Sequence, residues 1–492
     1  MPDFNYEAIT QDVPTENIDG ASMPVSFTSI GGTRRQRRAS KRYKGEASWI
    51  SCVINLLNTI VGAGVLAMPG AMSKFGITLG IFIIIFCGFT SAFGLYLQSR
   101  CARYIERGNA SFFSLSQLTY PNAAVLFDGA IAIKCFGVGI SYLIIIGNLM
   151  PLVVRGLVEE AGGVWVDRQF WVTVFMLIVI PLSFLRRLDS LKYTSFIALV
   201  SIGYLVIIVV GHFLKGDTIP DRGEVHWVQW AGPVQALSSF PVIVFAYTCH
   251  QNMFSIVNEI NDNSHRSTSS VITGSIGSAA GIYLLVAITG YLSYGDNVNG
   301  NIISMYPPNV ISTVGRLAIV ILVLFSFPLQ CHPARASIDN VLKWRPLKPT
   351  SPATLLTPLP PTPPSHTPMS DTRFAIITST ILISSYMVAM SVSSLERVLA
   401  WVGSTGSTSI SFILPGVFYW RISDPGLGVL VQKGDEDEDV WEEWHERVFR
   451  EPEGWEARYM RWGAAVLVGW GLVVMCVCVG LNLFLAGAGG GH

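Results

Sequence analysis

The amino-acid sequence predicts an all-α polytopic membrane protein with 11 transmembrane helices. Half of its 492 residues are hydrophobic and only 13% are charged, which is far from the composition of an ordinary soluble protein. Of the apolar stretches, the first is interrupted at residues 62–64 (Gly-Ala-Gly) before it ends at Pro69. Non-helical backbone is tolerated at membrane depth only where protein or a water-filled cavity surrounds it. The interruption therefore predicts a cavity in which a small ligand is bound and moved.

Hydropathy places the eleven predicted spans along the chain, and the fourth of them is the shortest. The spans are residues 49–69, 75–99, 126–150, 170–185, 192–214, 234–256, 268–294, 311–331, 371–395, 398–420 and 463–486.

The distribution of charge predicts the orientation of these spans. Residues 1–33 contain no apolar core of the length that a signal peptide needs. Seven basic residues follow in 34–44, directly before the first span, and such clusters remain in the cytosol. Residues 1–44 are therefore predicted to form a disordered cytosolic tail. Basic residues recur in every second loop, whereas the loop 295–310 has none. Because the number of spans is odd, the C-terminus is predicted to be lumenal.

Spans one to five and six to ten divide the chain into two five-helix halves, residues 45–214 and 234–420. An odd number of helices in each half makes the second half insert upside down relative to the first. The first helix of each half is discontinuous in such inverted-repeat transporters. Span six fits this expectation, because residues 247–252 form a polar centre in an otherwise apolar stretch. The sequence therefore predicts two broken helices that face each other.

Three further segments complete the predicted organisation. A Pro-rich cytosolic linker at 341–370 interrupts the second half. Residues 421–462 are predicted to form a cytosolic segment that is acidic and then amphipathic. The eleventh helix, 463–486, lies outside both halves.

Several segments resemble one known family. Residues 55–69 (Asn-Leu-Leu-Asn-Thr-Ile-Val-Gly-Ala-Gly-Val-Leu-Ala-Met-Pro) and 249–252 (Cys-His-Gln-Asn) are similar to the first and sixth helices of the amino acid/auxin permease family. The segments similar to its helices three, eight and ten are 135–147, 328–335 and 403–416. The segments that resemble the fungal vacuolar amino acid transporter branch of this family are 111–115 and 118–121. The resemblance implies a LeuT-like fold, built as a 5+5 inverted repeat plus one extra helix, and proton-linked movement of amino acids across the vacuolar membrane.

The break in the first span suits the backbone of an amino acid. It frees amides at the start of a half-helix, whose positive dipole end favours a carboxylate, and glycine allows close approach. The freed carbonyls suit the α-ammonium. The alternative is that the glycines only permit close helix packing. The predicted substrate-binding residues are Thr59, Gly62, Ala63, Gly64, Val65, Tyr142, Tyr247, Thr248 and Cys249.

The coupling ion is predicted from single polar residues within the spans. His250 is the candidate proton-coupling group, since imidazole titrates between cytosolic and acidic-vacuolar pH; the alternative is a structural histidine bonded to Gln251 and Asn252. Asn58 and Ser326 resemble the cation-site positions of sodium-coupled relatives. A serine where sodium users commonly carry threonine favours protons.

One further intramembrane charge, Lys134, is interpreted as structural, with Asp128 as its partner. Neither residue is assigned a part in binding or coupling.

These observations predict a secondary active transporter of amino acids, proton-coupled, exporting from the vacuole to the cytosol by alternating access. A sodium-coupled amino acid symporter and an amino-acid sensor that signals through its N-terminal tail are the alternatives. No enzyme motif, cofactor or metal site is predicted, and the equal numbers of acidic and basic residues, 33 each, do not indicate a nucleic-acid partner. The lipid bilayer surrounds a protein that we expect to be a monomer. The sequence does not identify which amino acid is transported or how many coupling ions move with it.

Overall fold

A computed structural model describes residues 45–105, 107–158, 160–185, 194–344, 369–423 and 455–488. Within these ranges the secondary structure is helical, apart from one isolated bridge between Ala47 and Ile260. The predicted tail 1–44, most of the Pro-rich linker and most of the acidic segment lie outside the described residues.

The helices follow the predicted spans closely. The α-helices are α1 (Trp49–Ile60), α2 (Ala63–Ser73), α3 (Ile77–Cys101), α4 (Phe112–Thr119), α5 (Ala124–Leu157), α6 (Arg168–Ser183), α7 (Thr194–Lys215), α8 (Pro233–Ala246), α9 (His250–Glu259), α10 (His265–Tyr294), α11 (Val310–Lys343), α12 (Asp371–Ser391), α13 (Leu395–Val402), α14 (Leu414–Ile422) and α15 (Trp455–Ala488). Short 3-10 helices lie at Ala102–Tyr104, Pro121–Ala123, Gly163–Val166, Ile219–Asp221, Gly295–Asn297 and Ile302–Ser304.

The count of eleven membrane-spanning helices is not confirmed. Among the described residues, 9 helices are long and apolar enough to cross a membrane, and the bent pair α1 and α2 makes up to 10. The predicted span that is too short to be counted is α6, which has 16 residues. It starts where the Asp167 side chain accepts hydrogen bonds from the Gln169 and Phe170 amides, and it ends shortly after Pro181. The eleventh predicted helix is longer than expected, because α15 already begins at Trp455.

The first predicted break is present. Helices α1 and α2 are inclined by 55° to each other. The Val61 amide donates to the Leu57 carbonyl at 2.8 Å and ends α1, and the Gly62 amide turns back to the Ile60 carbonyl at 3.0 Å. Helix α2 then starts from Gly62, which has no side chain to cap it. The regular helical hydrogen bonds are therefore interrupted at Gly62, as the sequence predicted.

The second break is also present, within the polar centre of span six. Helix α8 ends at Ala246, and α9 begins at His250. The Thr248 amide donates to the Phe245 carbonyl at 3.0 Å, and the Asn252 amide to the Cys249 carbonyl at 2.9 Å. Three residues, 247–249, therefore lie between two half-helices.

The tenth predicted span is not a regular α-helix. Two π-helical turns, Gly403–Ser407 and Ser409–Ile413, separate α13 from α14. A Cβ atom at Gly403 would lie 1.9 Å from the Pro241 carbonyl oxygen of α8, so this segment packs directly on the backbone of a broken helix. The span was predicted as a uniform helix, because π-turns have no hydropathy pattern that distinguishes them.

Two basic residues that follow α3 were predicted only to orient the chain, but they also bind the connection between α9 and α10. Arg103 donates to the Asn263 carbonyl at 2.8 Å, and Arg107 donates to the Ile260 carbonyl. On the other side of the same connection, the Ala47 amide donates to the Glu259 carbonyl at 2.9 Å. The connection between α9 and α10 is thus bound both by the segment after α3 and by the chain that enters α1.

Candidate functional site

The two helix breaks meet at one place in the fold. A Cβ atom at Gly64, in the first turn of α2, would lie 2.6 Å from the Cβ of Ala246, the last residue of α8. The hydroxyl of Tyr283 in α10 lies 2.7 Å from the Ile60 carbonyl oxygen and 2.8 Å from that of Ala246. One buried hydroxyl therefore bonds to the C-terminal ends of both outer half-helices, α1 and α8.

The glycines of the first break have different surroundings. Gly64 is packed against α8, and any larger residue there would collide with Ala246. Gly62 has no atom within 4 Å of the position that its Cβ would occupy. The packing interpretation thus applies to Gly64, while Gly62 faces open space. That space lies at the start of α2.

The donors of the first break belong to α2. The Val65 amide donates to the Gly62 carbonyl at 3.2 Å, which leaves the amides of Ala63 and Gly64 as the first-turn donors of the half-helix. Ala63 and Val65 are buried. A carboxylate beside Gly62 would meet these amides and the positive end of the helix dipole.

Thr59 is hydrogen-bonded to a side chain of the second broken helix. Its hydroxyl accepts a hydrogen bond from the Asn252 side chain of α9 at 2.6 Å, and donates to the Asn55 carbonyl at 3.0 Å. Thr59 therefore links α1 to α9, and its contact with the substrate stays a prediction. Asn252 is also not the expected partner of His250.

The three residues of the second break are held by neighbouring helices. The Tyr247 ring lies edge-on to Tyr283, with centroids 5.1 Å apart, and its carbonyl accepts from the Ser91 hydroxyl at 3.0 Å. The Thr248 hydroxyl donates to the Val244 carbonyl at 2.9 Å and accepts from Ser411 at 3.2 Å. Cys249 is fully buried. These side chains are enclosed by protein.

His250 starts α9 and is completely buried. The Ser91 backbone interacts with the ring, but neither ring nitrogen has a partner with hydrogen-bond geometry. The Gln251 amide likewise has none, so the expected pairing of His250 with Gln251 and Asn252 is absent. The ring packs against α3, since a Cβ atom at Gly94 would lie 2.8 Å from His250 Nε2.

The remaining predicted residues lie on three helices. Tyr142 of α5 is buried and is hydrogen-bonded to Gln330 of α11. Asn58 lies partly buried near the end of α1. Ser326 donates its hydroxyl to the Leu322 carbonyl of its own helix at 2.8 Å. No group of three or more His, Cys, Asp or Glu side chains suitable for a metal occurs within the described ranges.

Sequence reasoning missed several residues that hold the site. Tyr283 was overlooked because a tyrosine within an apolar span usually satisfies one local partner. Three smaller polar residues, Ser91, Gln98 and Ser411, were also overlooked. Of these, Gln98 donates to the His250 carbonyl at 2.8 Å. The suggested pairing of Lys134 with Asp128 is wrong. Asp128 instead accepts a hydrogen bond from Asn340 at 3.3 Å.

Comparisons with known proteins agree with this architecture. A family model described as transmembrane amino acid transporter protein matches residues 45–428. Vacuolar amino acid transporter 5 of Schizosaccharomyces pombe is 42% identical over 444 residues, which cover 89% of this chain and 95% of the relative. Vacuolar amino acid transporter 6 of Saccharomyces cerevisiae is 42% identical over 407 residues, covering 76% and 90%.

A solved structure shows the shared fold. MhsT, in a complex with L-phenylalanine, matches 88% of this chain and 99% of its own with a TM-score of 0.56 and 11% sequence identity. The predicted LeuT-like fold is therefore confirmed. The broken helices and the family model together define a class of membrane transporter rather than an enzyme. This chain belongs to the transmembrane amino acid transporter family.

Proposed function

We propose that this protein is a secondary active transporter that moves amino acids across the vacuolar membrane, coupled to protons, from the lumen to the cytosol by alternating access. The observation that carries the proposal is the meeting of two broken helices at Gly64 and Ala246, where first-turn amides and C-terminal carbonyls are brought together. An amino acid carries one group for each: a carboxylate for the amides of α2 and an ammonium for the carbonyls of α1 and α8. The relatives named as vacuolar amino acid transporters support the compartment and the substrate class.

The proposed organisation keeps the two halves, residues 45–214 and 234–420, as inverted repeats, with 463–486 as an added helix. The N-terminus is cytosolic and the C-terminus lumenal. The basic side chains of Arg103 and Arg107 support this orientation, because both lie at the end of the molecule that contains the start of α1.

Protons are favoured as the coupling ion over sodium. Sodium users commonly carry threonine where this chain has Ser326, whose hydroxyl donates to the Leu322 carbonyl of its own helix. His250 is a titratable group in the second break and belongs to the proposed proton path. In the acidic vacuole, a proton gradient would drive export to the cytosol.

The test is transport by the purified protein in proteoliposomes. A panel of the twenty radiolabelled L-amino acids is offered under an imposed pH gradient, an imposed sodium gradient, or neither, with empty liposomes as the control. Accumulation that depends on the pH gradient is expected, and the panel identifies the substrate. Accumulation driven by sodium alone would overturn proton coupling and make Asn58 and Ser326 cation ligands. Saturable binding without flux under both gradients would overturn transport and favour the sensor.

A further inference from the structure

The chain contains a buried charge that has no part in the site described above. Lys134 lies in α5 and is only 3% exposed. Within the described ranges no hydrogen bond or ion pair joins its ammonium to another side chain. A charged side chain at this depth is costly unless a partner compensates it, and ionisable residues within membrane spans are commonly functional.

The carboxylate that was expected to compensate it is directed elsewhere. Asp128 precedes Lys134 by six residues, which corresponds to a rotation of about 240° around an α-helix. Its side chain bonds to Asn340 and Ser337 of α11 instead. The two charges of α5 therefore lie on different faces, and only one of them has hydrogen-bond partners.

Lys134 packs against the π-helical segment. A Cβ atom at Gly406 would lie 2.8 Å from the Lys134 backbone nitrogen and 2.9 Å from its Cβ, so the two backbones are in close contact. The titratable groups that act electrostatically on Lys134 are Cys135 on its own helix, Cys249 in the break and His250 in α9. No carboxylate from an adjoining element is paired with it in the described part of the chain.

We propose that Lys134 carries the coupling proton, and this inference rests on the proton-coupled function proposed above. Its amine accepts a proton from water when the site is open to the acidic lumen and returns the same proton to water when the site is open to the cytosol. Nothing is oxidised or reduced, and the N–H bond that forms in one step breaks in the other. The electrostatic interaction of Lys134 with Cys249 and His250 makes its charge sensitive to the position of α8 and α9.

His250 stays within the proposed proton path, but we assign the proton itself to Lys134, which interacts electrostatically with it. Two basic groups in one buried site oppose each other's protonation, so the pair holds a single proton at a time. The alkylamine is intrinsically the more basic of the two, and on that ground we assign the shared proton to Lys134. His250 then acts as a neutral neighbour whose unpartnered ring nitrogens line the same site.

The experiment separates coupling from substrate movement. Proteoliposomes carry wild type, Lys134→Met, which is neutral and of similar volume, or Lys134→Arg, which keeps a permanent charge. A mixture of tritiated L-amino acids is used to measure accumulation under a pH gradient of one unit, and exchange for unlabelled amino acids at equal pH. Asp128→Asn is the matched control, since it removes the other buried charge of α5.

Wild type should accumulate label about tenfold for one coupled proton, because one pH unit corresponds to a factor of ten in proton activity. Lys134→Met should fall to a ratio of about 1 while it retains exchange within about threefold of wild type, and that exchange should no longer depend on pH. Lys134→Arg should also lose accumulation, since its guanidinium does not release a proton. Asp128→Asn should accumulate like wild type.

Two results would overturn the inference. Accumulation of label by Lys134→Met at the wild-type ratio would reject the inference. A folded Lys134→Met protein that loses exchange together with accumulation would make Lys134 a substrate ligand instead. If Met prevents assembly, as judged by size-exclusion chromatography, Lys134→Gln provides the neutral variant. Failure of wild type itself to respond to the pH gradient would reject the proposed function and is thereby distinguished from failure of this inference.

Discussion

The two helix breaks are alike in position and different in construction. The break between α1 and α2 is made by a glycine that faces open space, and its hydrogen-bonding groups are backbone atoms. The break between α8 and α9 is made by Tyr247, Thr248 and Cys249, all of them buried, and it is fixed by hydroxyl groups from α3 and the π-helical segment. One break is accessible and the other is enclosed.

This difference indicates separate tasks. Recognition by backbone groups suits the α-carboxylate and α-ammonium, which every amino acid shares. A break that is tied by side chains to several helices can transmit a change of charge or position to them, because each tie must form or break when the helix moves. We therefore expect changes at the first break to act mainly on substrate affinity, and changes at the second mainly on turnover and coupling.

The strongest test of the accessible break is Gly62→Val. The new side chain would occupy the open space beside the amides of α2, and we expect uptake to fall about 100-fold or more. The matched control is Gly281→Val in α10, where a Cβ atom also meets nothing within 4 Å but the residue is on the exposed face of its helix. The control should transport normally. Equal losses in the two variants would show that valine disturbs the fold rather than the site.

Both breaks could be predicted from the sequence for a physical reason. Glycines before a proline, and six consecutive polar or aromatic residues within an apolar span, each conflict with a continuous membrane helix, and such conflicts mark functional positions. The hydropathy pattern also placed the helices, since the requirement for apolar length is strict in a bilayer.

The partners of individual side chains could not be predicted in the same way. The hydrogen bond that Thr59 accepts from Asn252, 193 residues away in the sequence, was not predicted. Lys134 and Asp128 were paired because they are close in sequence, although helical geometry puts them on different faces. Such contacts depend on how helices pack, and hydropathy contains no information about that packing.

The contact that joins the two breaks is tested by Tyr283→Phe. This substitution keeps the ring against Tyr247 and removes the hydroxyl from the carbonyls of Ile60 and Ala246. A buried carbonyl that loses its donor costs about 1–3 kcal/mol, so we expect kcat/KM for uptake to fall about tenfold or more. The control is Tyr386→Phe, whose hydroxyl bonds to Thr173 on an exposed face. If Tyr283→Phe transports as well as this control, the two breaks are not coupled through α10.

A smaller effect is expected for Ser91→Ala at the enclosed break. The variant removes the donor to the Tyr247 carbonyl, a bond of 3.0 Å between buried groups. One such hydrogen bond contributes about 0.5–1.5 kcal/mol, which corresponds to a decrease in turnover of about threefold to tenfold with KM nearly unchanged. Ser116→Ala serves as the control, because that serine is equally buried and bonds to the Phe113 carbonyl of its own helix. A rise in KM at constant turnover would assign substrate binding to the enclosed break and reverse the comparison.

The smallest expected effect is that of Thr59→Val, and it bears on whether Thr59 belongs to the accessible break. Removing the hydroxyl acceptor at 2.6 Å from Asn252, in a partly exposed setting, should lower turnover about twofold to fivefold and leave KM unchanged. Asn252→Leu should have the same effect, and the double variant should be no worse than either single one, with a coupling energy of about 1 kcal/mol between the two positions. Additive losses, or a KM that rises only for Thr59→Val, would support the prediction that Thr59 contacts the substrate. Removing such a contact weakens binding of the amino acid whether or not Asn252 is present.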